Sequence, residues 1–315
     1  MAKDTRRRFE IEAQKFRPLI RDAFLQAVAD IKRGTDLDAL IAAIERNDVP
    51  AALTALKLGP EYFAPLDDAV RATFAGGGTY MLDTLPKKNP RTGLELVIRF
   101  QGRNPRAESW VTERSSTLIT RITDGQRETI RDILSTAIGE GQGPRTTALD
   151  LVGRVDRATG RRSGGTVGLD WKQKEYLSNY RDKLTAEGRK ADQIERMVEK
   201  YNNKLLRVRG ERIARTETTA ALNAGRDEGM QQLIDSGEVP VENIEDEWQS
   251  SGNKNVRDSH EALDGTKVPH GEPFVSELGS VMYYPGDTSQ GALPEDVINC
   301  VCYKAMTIDW LKGVE

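Results

Sequence analysis

The chain has 315 residues, of which 37% are hydrophobic, 30% are charged and 6% are aromatic. This length allows two domains, and this composition predicts a soluble, helix-rich protein whose cores consist mainly of Leu, Ile, Val and Ala. Because no run approaches the roughly 18 apolar residues that span a bilayer, and the first residues lack the apolar region of a secretory signal, we expect neither a membrane protein nor a secreted one.

The net charge of -3 conceals an asymmetry along the chain. Residues 241–315 carry 5 Lys/Arg and 14 Asp/Glu, a balance of -9, whereas residues 1–240 carry 41 and 35, a balance of +6. Such a split is compatible with a basic body near nucleic acid and an acidic domain facing a protein, or with ordinary solvated helix faces. The two cysteines provide no disulfide framework, so we expect a reducing cytosol or a particle assembled there.

The first 75 residues predict a series of helices. Apolar residues recur at helical spacing from Phe9 to Ile31, Gly34 ends this helix, and Asp36 is the expected N-cap of a second one. Residues 76–78 (Gly-Gly-Gly) are expected to break the helical pattern completely. Residues 94–100 (LELVIRF) are the expected strand of the N-terminal half.

Two long helical segments dominate the middle of the chain. The first is predicted over residues 107–138, with a kink or break at Asp124-Gly125. The second extends from Ala191 to Ile234, is expected to break near Gly210, and carries an apolar face that includes Ile194, Val198 and Leu205. Beyond residue 237, short apolar pieces between Gly, Pro, Asn and Asp indicate a compact mixed unit.

These elements predict an α+β protein, predominantly helical in its N-terminal and central regions, with a small mixed α/β domain at the C-terminus. The predicted division is a mostly helical domain over residues 1–140, a helical central region over 141–237 and a compact acidic α/β part over 238–315.

Two thiols and an imidazole are the candidate metal ligands. Cys300 and Cys302 lie two residues apart, so on an extended strand both side chains point to one face. His260 could add a nitrogen ligand of the kind that zinc accepts. The thiols could instead be buried apolar groups or form a reversible disulfide. A fourth zinc ligand could come from Asp258, Asp264 or Asp287.

The same segment has a second interpretation, in which Asp258, His260 and Asp264 hold a divalent ion that activates water for nucleic-acid cleavage. Against it, the C-terminal region has few Lys or Arg to hold a phosphate backbone. The simpler interpretation is that Arg257 and His260 hydrogen-bond to a neighbouring loop. His270, in a Val-Pro-His-Gly turn, is expected to be exposed.

A charged triplet interrupts a run of small residues in the second long helix. Arg215, Thr216 and Glu217 lie among alanines, and buried Arg and Glu are costly unless they are paired. We therefore expect a specific partner for the triplet, such as an ion pair that docks this helix onto the C-terminal unit.

The part of this helix that precedes the triplet is basic. Residues 189–215 contain 9 Lys/Arg and 4 Asp/Glu, a balance that suits non-specific contacts with phosphates. Lys200, Lys204 and Arg207 are the candidate DNA contacts, and a solvated helix face is the alternative.

Several short motifs follow one another from Lys200 onward. They are Ile213–Glu217 (IARTE) with Asn223 and Gly225, then Trp248, Arg257–His260, Leu263-Asp264-Gly265, Pro285-Gly286-Asp287 and Glu295–Cys302. This series resembles the C-terminal domain of the Mu F-like head-morphogenesis proteins, which are minor capsid proteins of tailed bacteriophages. The family usually ends closer to Asn-Cys-Arg-Cys. Here Val301 replaces the basic residue, which weakens the case for a phosphate-binding active centre.

The resemblance implies a structural protein and not an enzyme. It would be a minor capsid protein needed for head morphogenesis, assembled in the host cytoplasm and located in the virion, at or near the portal inside the head. The implied partners are the portal protein and the inner capsid surface, with packaged double-stranded DNA as a non-specific contact and no membrane. The resemblance implies no cofactor, so zinc rests on residue types alone.

Two alternatives to this function remain. One is a metal-dependent nuclease or toxin-like effector that uses the C-terminal domain. The other is a cytosolic scaffold or DNA-binding adaptor that never enters the particle.

Overall fold

The structure, a computed structural model, describes residues 2–156, 160–252 and 254–313. The helices are α1 (Ala2–Gly34), α2 (Leu37–Glu45), α3 (Val49–Ala55), α4 (Ala64–Asp83), α5 (Pro105–Gly139), α6 (Pro144–Val152), α7 (Trp171–Ala186), α8 (Ala191–Asp235), α9 (Asp258–Glu261) and α10 (Pro294–Val297), with 3-10 turns at Pro60–Phe63 and Val241–Asn243. The strands are β1 (Arg154–Val155), β2 (Arg162–Ser163), β3 (Ile244–Gln249), β4 (Lys267–Pro269), β5 (Phe274–Val275), β6 (Val281–Met282) and β7 (Tyr303–Ile308).

This mostly helical arrangement with a few small sheets confirms the predicted α+β class. Among the described helices, none has a stretch both long and apolar enough to cross a bilayer.

The end of α1 and the start of α2 lie where the sequence predicts. Helix α1 ends at Gly34, and Asp36 caps α2 by accepting a hydrogen bond of 3.0 Å from the backbone N–H of Ala39. Asp48 caps α3 in the same way through Ala51. Each cap satisfies a donor that the helix itself leaves unpaired, which fixes where these short helices start.

The chain divides into two compact units that are discontinuous in sequence. The first unit contains the residues up to Arg21, Asp67–Glu113 and the chain from Arg212 onward, and the second contains Asp22–Leu66 and Arg114–Glu211. The predicted boundaries near residues 140 and 237 coincide with none of these limits. Because α1, α4, α5 and α8 each contribute residues to both units, the limits fall inside helices, where no loop signal marks them.

The first unit contains the main sheet. Strand β3 is its centre, with β4 and β7 antiparallel on either side, and β5 and β6 form a separate antiparallel pair. The pairing of β3 with β7 extends from Ile244 opposite Ile308 to Gln249 opposite Tyr303. Burial alternates along β3, so that Ile244 and Trp248 point to the buried face.

In the second unit, α7 packs against the N-terminal part of α8. Leu177 and Leu184 of α7 form one buried cluster with Ile194, Val198 and Leu205. The predicted apolar face of this part of α8 is therefore confirmed.

The prediction that residues 76–78 end a helix is wrong, because α4 continues through all three glycines to Asp83. Their function is close packing. A Cβ atom on Gly77 would overlap the carbonyl oxygen of Leu222 in α8, and one on Gly225 would overlap the carbonyl oxygen of Phe74. Glycines on both helices thus let two backbones approach within the first unit, and the tertiary contact outweighs the local cost of roughly 1 kcal/mol per glycine.

Three further predictions, two helix breaks and one strand, are also wrong. Helix α5 continues unbroken through Gly125, and α8 does so through Gly210. Residues 94–100 form no strand, since their one sheet contact among the described residues is an isolated bridge between Lys88 and Glu95. Leu96 and its neighbours alternate in burial as a strand would, but a strand also needs a partner along its length.

We predict that Gly225→Ala destabilises the protein. The added methyl group would overlap a backbone oxygen, so the helices must separate, at a cost of about 1–3 kcal/mol in the free energy of unfolding. Gly125→Ala is the matched control, because nothing lies within 4 Å of its added Cβ. It should stabilise α5 by up to about 1 kcal/mol. Denaturant unfolding measures both changes, and a Gly225→Ala variant as stable as the wild type would contradict the close crossing.

Candidate metal centre and helix seam

The C-terminal part of α8 carries small and polar residues on its buried side. We call residues Ala214 to Gly225 the α8 seam, since the Pro-Gly-Asp loop and strand β7 are docked on it. Ala220 and Ala221 are fully buried there. Gly286 lies against the backbone and Cβ of Ala220, with φ at 89°, a conformation that favours glycine. Small residues in the α8 seam therefore allow the backbone of the Pro-Gly-Asp loop to pack directly against the backbone of α8.

Asn223 is the polar centre of the α8 seam, and its side chain is fully buried. Its Nδ2 donates hydrogen bonds of 3.2 Å to the carbonyl oxygens of Pro285 and of Cys302. Its Oδ1 accepts one of 3.1 Å from the backbone N–H of Lys304. One side chain thus satisfies main-chain groups of two segments that would otherwise be buried without partners.

The triplet Arg215, Thr216 and Glu217 is divided between exposed and buried positions. Arg215 is exposed and faces an open cleft of about 730 Å³, so its predicted burial is wrong. Glu217 and Thr216 are buried. The Thr216 hydroxyl accepts a hydrogen bond of 3.0 Å from the backbone N–H of Asn299, next to the first cysteine. This hydroxyl therefore provides one docking contact between α8 and the segment of the cysteines.

The Leu-Asp-Gly motif forms a turn that closes on β3. The Asp264 carboxylate accepts a hydrogen bond of 2.7 Å from the backbone of Ser250. Gly265, with φ at 78°, donates its backbone N–H to the carbonyl oxygen of Trp248 at 2.8 Å. Trp248 itself is fully buried. These motif residues hold the strand and the turn together.

The structure brings His260, Cys300 and Cys302 together. Nδ1 of the imidazole lies 3.5 Å from the Sγ atom of each cysteine. All three side chains are buried, with the Trp248 ring edge-on to the imidazole at 5.0 Å. The three ligand atoms lie within 4.8 Å of one another, so the predicted grouping of these residues has the compactness of a metal site.

The two thiols are electrostatically unequal. The hydrogen bond between them lowers the pKa of Cys302, and the bond from His260 lowers it further against the effect of burial. The same hydrogen bond, together with burial, raises the pKa of Cys300 well above its ordinary value. The thiolate, which is the form that binds metals, is therefore more favourable at Cys302 than at Cys300.

A buried carboxylate lies behind the imidazole. Asp296 is fully buried, and its Oδ1 is 3.4 Å from Nε2 of His260. It accepts hydrogen bonds from the hydroxyls of Ser259 at 2.8 Å and Ser276 at 2.7 Å. Burial opposes the charged form, but hydroxyl hydrogen bonds from Ser280, Ser276 and Ser259 outweigh it and lower the pKa of Asp296. No pattern in the sequence indicated this carboxylate beside His260.

The carboxylates that we considered as further ligands lie elsewhere. Asp287 accepts hydrogen bonds from backbone groups of its own loop, Asp264 holds the turn, and Asp258 is exposed at the start of α9. Among the described residues, none of the three joins the group of His260 and the thiols. The set of Asp258, His260 and Asp264 that the nuclease interpretation requires is therefore not brought together among these residues. Arg257 hydrogen-bonds to the neighbouring loop, as the simpler interpretation predicted.

A second group of charged residues is buried beside β3. The Lys304 ammonium pairs with Asp227 and, at 2.8 Å, with Asp246, whose oxygens also lie 3.0 Å from Nδ1 of His270. His270 is buried, so its predicted exposure is wrong. The alternation of Ile244, Asp246 and Trp248 along β3 places Asp246 on the buried face. This alternation was the sequence signal for a buried charged group beside the strand.

The charges of this second group compensate one another. Burial opposes a charged Asp246, but the hydrogen bond from His270 and the charge of Lys304 outweigh it and lower the pKa of Asp246. Burial likewise opposes a charged Lys304, but Asp227 and Asp246 raise its pKa. Because an ammonium group already lies between the carboxylates, they need no metal ion for neutralisation.

In architecture, the chain is a mostly helical protein with a small α/β domain docked on one long helix. Residues 179–305 match the family described as Phage Mu protein F like protein. The matched region contains the α8 seam, the candidate metal ligands and most of the main sheet, so the resemblance predicted for the C-terminal domain is confirmed. No curated protein and no solved structure matches the chain. The family match implies a phage head-morphogenesis protein.

Proposed function

We propose that this protein is a structural minor capsid protein of a tailed bacteriophage, present in few copies at or near the portal inside the head. The observation that carries the proposal is that residues of the family motifs have structural roles. Asn223, Trp248 and Gly286 are engaged in packing or in hydrogen bonds to the main chain. A pattern whose members hold a domain on a helix supports an assembly function, with no catalytic role for these residues.

The acidic C-terminal domain is the part that we propose to contact protein partners. Its strongly negative balance would complement a basic surface on the portal or on the inner capsid. Exposed carboxylates of this domain include those of Glu242, Glu245, Glu261, Glu272, Glu277 and Glu295.

The N-terminal part of α8 is the proposed contact with packaged DNA. Lys200, Lys204 and Arg207 are exposed, and their spacing of four and three residues places them on one side of the helix. The opposite side packs against α7 through Val198 and Leu205. A stripe of cations on a helix that is anchored on its other face suits contacts with backbone phosphates, which carry no sequence information.

Quantitative mass spectrometry of purified phage particles tests the structural proposal. The ratio of this chain to the major capsid protein should correspond to about a few to a few tens of copies per head. Absence from the particle would contradict the proposal and favour a cytosolic scaffold. Cleavage of DNA by the purified chain with Mg²⁺, Mn²⁺ or Zn²⁺ would favour the nuclease alternative.

Charge reversal tests the DNA contact. The triple variant Lys200→Glu, Lys204→Glu, Arg207→Glu should weaken binding to duplex DNA and reduce the slope of log affinity against log salt by about 3, since each phosphate contact contributes about 0.9. The matched control reverses three exposed loop cations, Lys87→Glu, Lys88→Glu and Arg91→Glu, and should keep the slope of the wild type. An unchanged slope in the α8 variant would contradict the proposed contact.

A further inference from the structure

The small C-terminal domain contains one buried set of soft ligands. We propose that His260, Cys300 and Cys302 bind one Zn²⁺ ion through Nδ1 and the two Sγ atoms, and that this ion fixes α9 to the segment that leads into β7. The proposal concerns the stability of the domain and does not depend on where the protein is located in a phage particle.

The distances are those that a tetrahedral zinc site requires. With Zn–S bonds of about 2.3 Å and a Zn–N bond of about 2.0–2.1 Å, tetrahedral angles separate nitrogen from sulfur by about 3.5–3.6 Å. In the structure, Nδ1 of His260 lies 3.5 Å from Sγ of Cys300 and 3.5 Å from Sγ of Cys302. A single Nδ1–H could donate a well-directed hydrogen bond to one sulfur only, so equal distances to both are better explained by a shared ion.

The imidazole has the surroundings of a metal ligand. Histidines that bind a metal through one ring nitrogen usually direct the other nitrogen to a carboxylate, which fixes the tautomer. Asp296 lies behind Nε2 of His260, at 3.4 Å and without a hydrogen bond to it, and Ser259 and Ser276 orient the carboxylate. In the zinc-bound form, a proton on Nε2 would leave the lone pair of Nδ1 free to bind the ion.

A zinc site of this composition would carry no net charge. Binding displaces one proton from each thiol that carries one, and Zn²⁺ with two thiolates and a neutral imidazole has no net charge. Such a set suits its apolar surroundings, which include Trp248 and Phe274. Three protein ligands lie within reach among the described residues, so we assign the fourth position to a solvent oxygen.

The short secondary-structure elements of the C-terminal domain favour stabilisation by a metal. Strands β4, β5 and β6 have two or three residues each, and α9 and α10 have four. Such short elements bury little apolar surface, and small domains of this kind are commonly stabilised by metals. The ion would join Cys300 and Cys302 to His260, about 40 residues earlier in the chain.

Metal analysis of the purified full-length chain tests this proposal. Protein produced with zinc in the medium and purified without chelators should contain about one zinc ion per chain. His260→Gln should reduce the zinc content at least tenfold. His270→Gln is the matched control, because this second histidine is also buried and also faces a carboxylate, and it should retain zinc. Wild-type protein without zinc, or a His260→Gln variant that keeps it, would overturn the proposal.

A second measurement avoids dependence on a variant that fails to fold. After removal of zinc from the wild type, added Co²⁺ should produce the near-ultraviolet absorption of a cobalt–thiolate bond, and the melting temperature should rise again by several degrees. Absence of that absorption would overturn the proposal. So would a Cys300–Cys302 disulfide, detected as two missing thiols when the freshly purified chain is unfolded and titrated.

Discussion

The structure depends most on the burial of one amide side chain. Asn223 lies in the middle of a 45-residue helix, where an asparagine has no intrinsic advantage, and it is fully buried. It satisfies the carbonyl groups of Pro285 and Cys302 and the N–H of Lys304. Without it, these main-chain groups would be buried unpaired, at about 1–3 kcal/mol each. The C-terminal domain can therefore dock on α8 only in one register.

The hydrogen bonds of Asn223 require small residues in the rest of the α8 seam. A side chain as short as that of asparagine reaches two other backbones only if they come close, so its neighbours must be small. Ala220 meets Gly286 on one side, and Gly225 meets α4 on another. The same docking places Cys302 beside Cys300 and both opposite His260. The candidate zinc site and the helix seam are therefore parts of one arrangement.

The sequence predicted the parts that depend on local patterns, which are most of the helices, the Asp36 cap of α2 and the apolar face of α8. It failed where a long-range partner decides the outcome. Residues 76–78 stay helical because another helix needs their lack of side chains. Residues 94–100 form no strand because no segment of the described chain pairs along them. Part of the candidate site was predictable, because the types and spacing of the thiols indicated a possible metal ligand set. No sequence pattern indicated that Asp296 lies beside His260. The pair of Lys304 and Asp246 was also not predictable, because these residues are 58 positions apart in the chain.

Hydrogen exchange of β7 tests the central claim most directly. In the wild type, the backbone amides of Tyr303, Lys304 and Ala305 should be strongly protected, since the first and third face β3 in the main sheet and that of Lys304 donates to Asn223. Asn223→Ala should accelerate their exchange at least tenfold. Asn203→Ala, which removes an exposed amide on the same helix, should leave it unchanged. Equal protection of β7 in the wild type and in Asn223→Ala would show that the buried amide does not hold the domain in place.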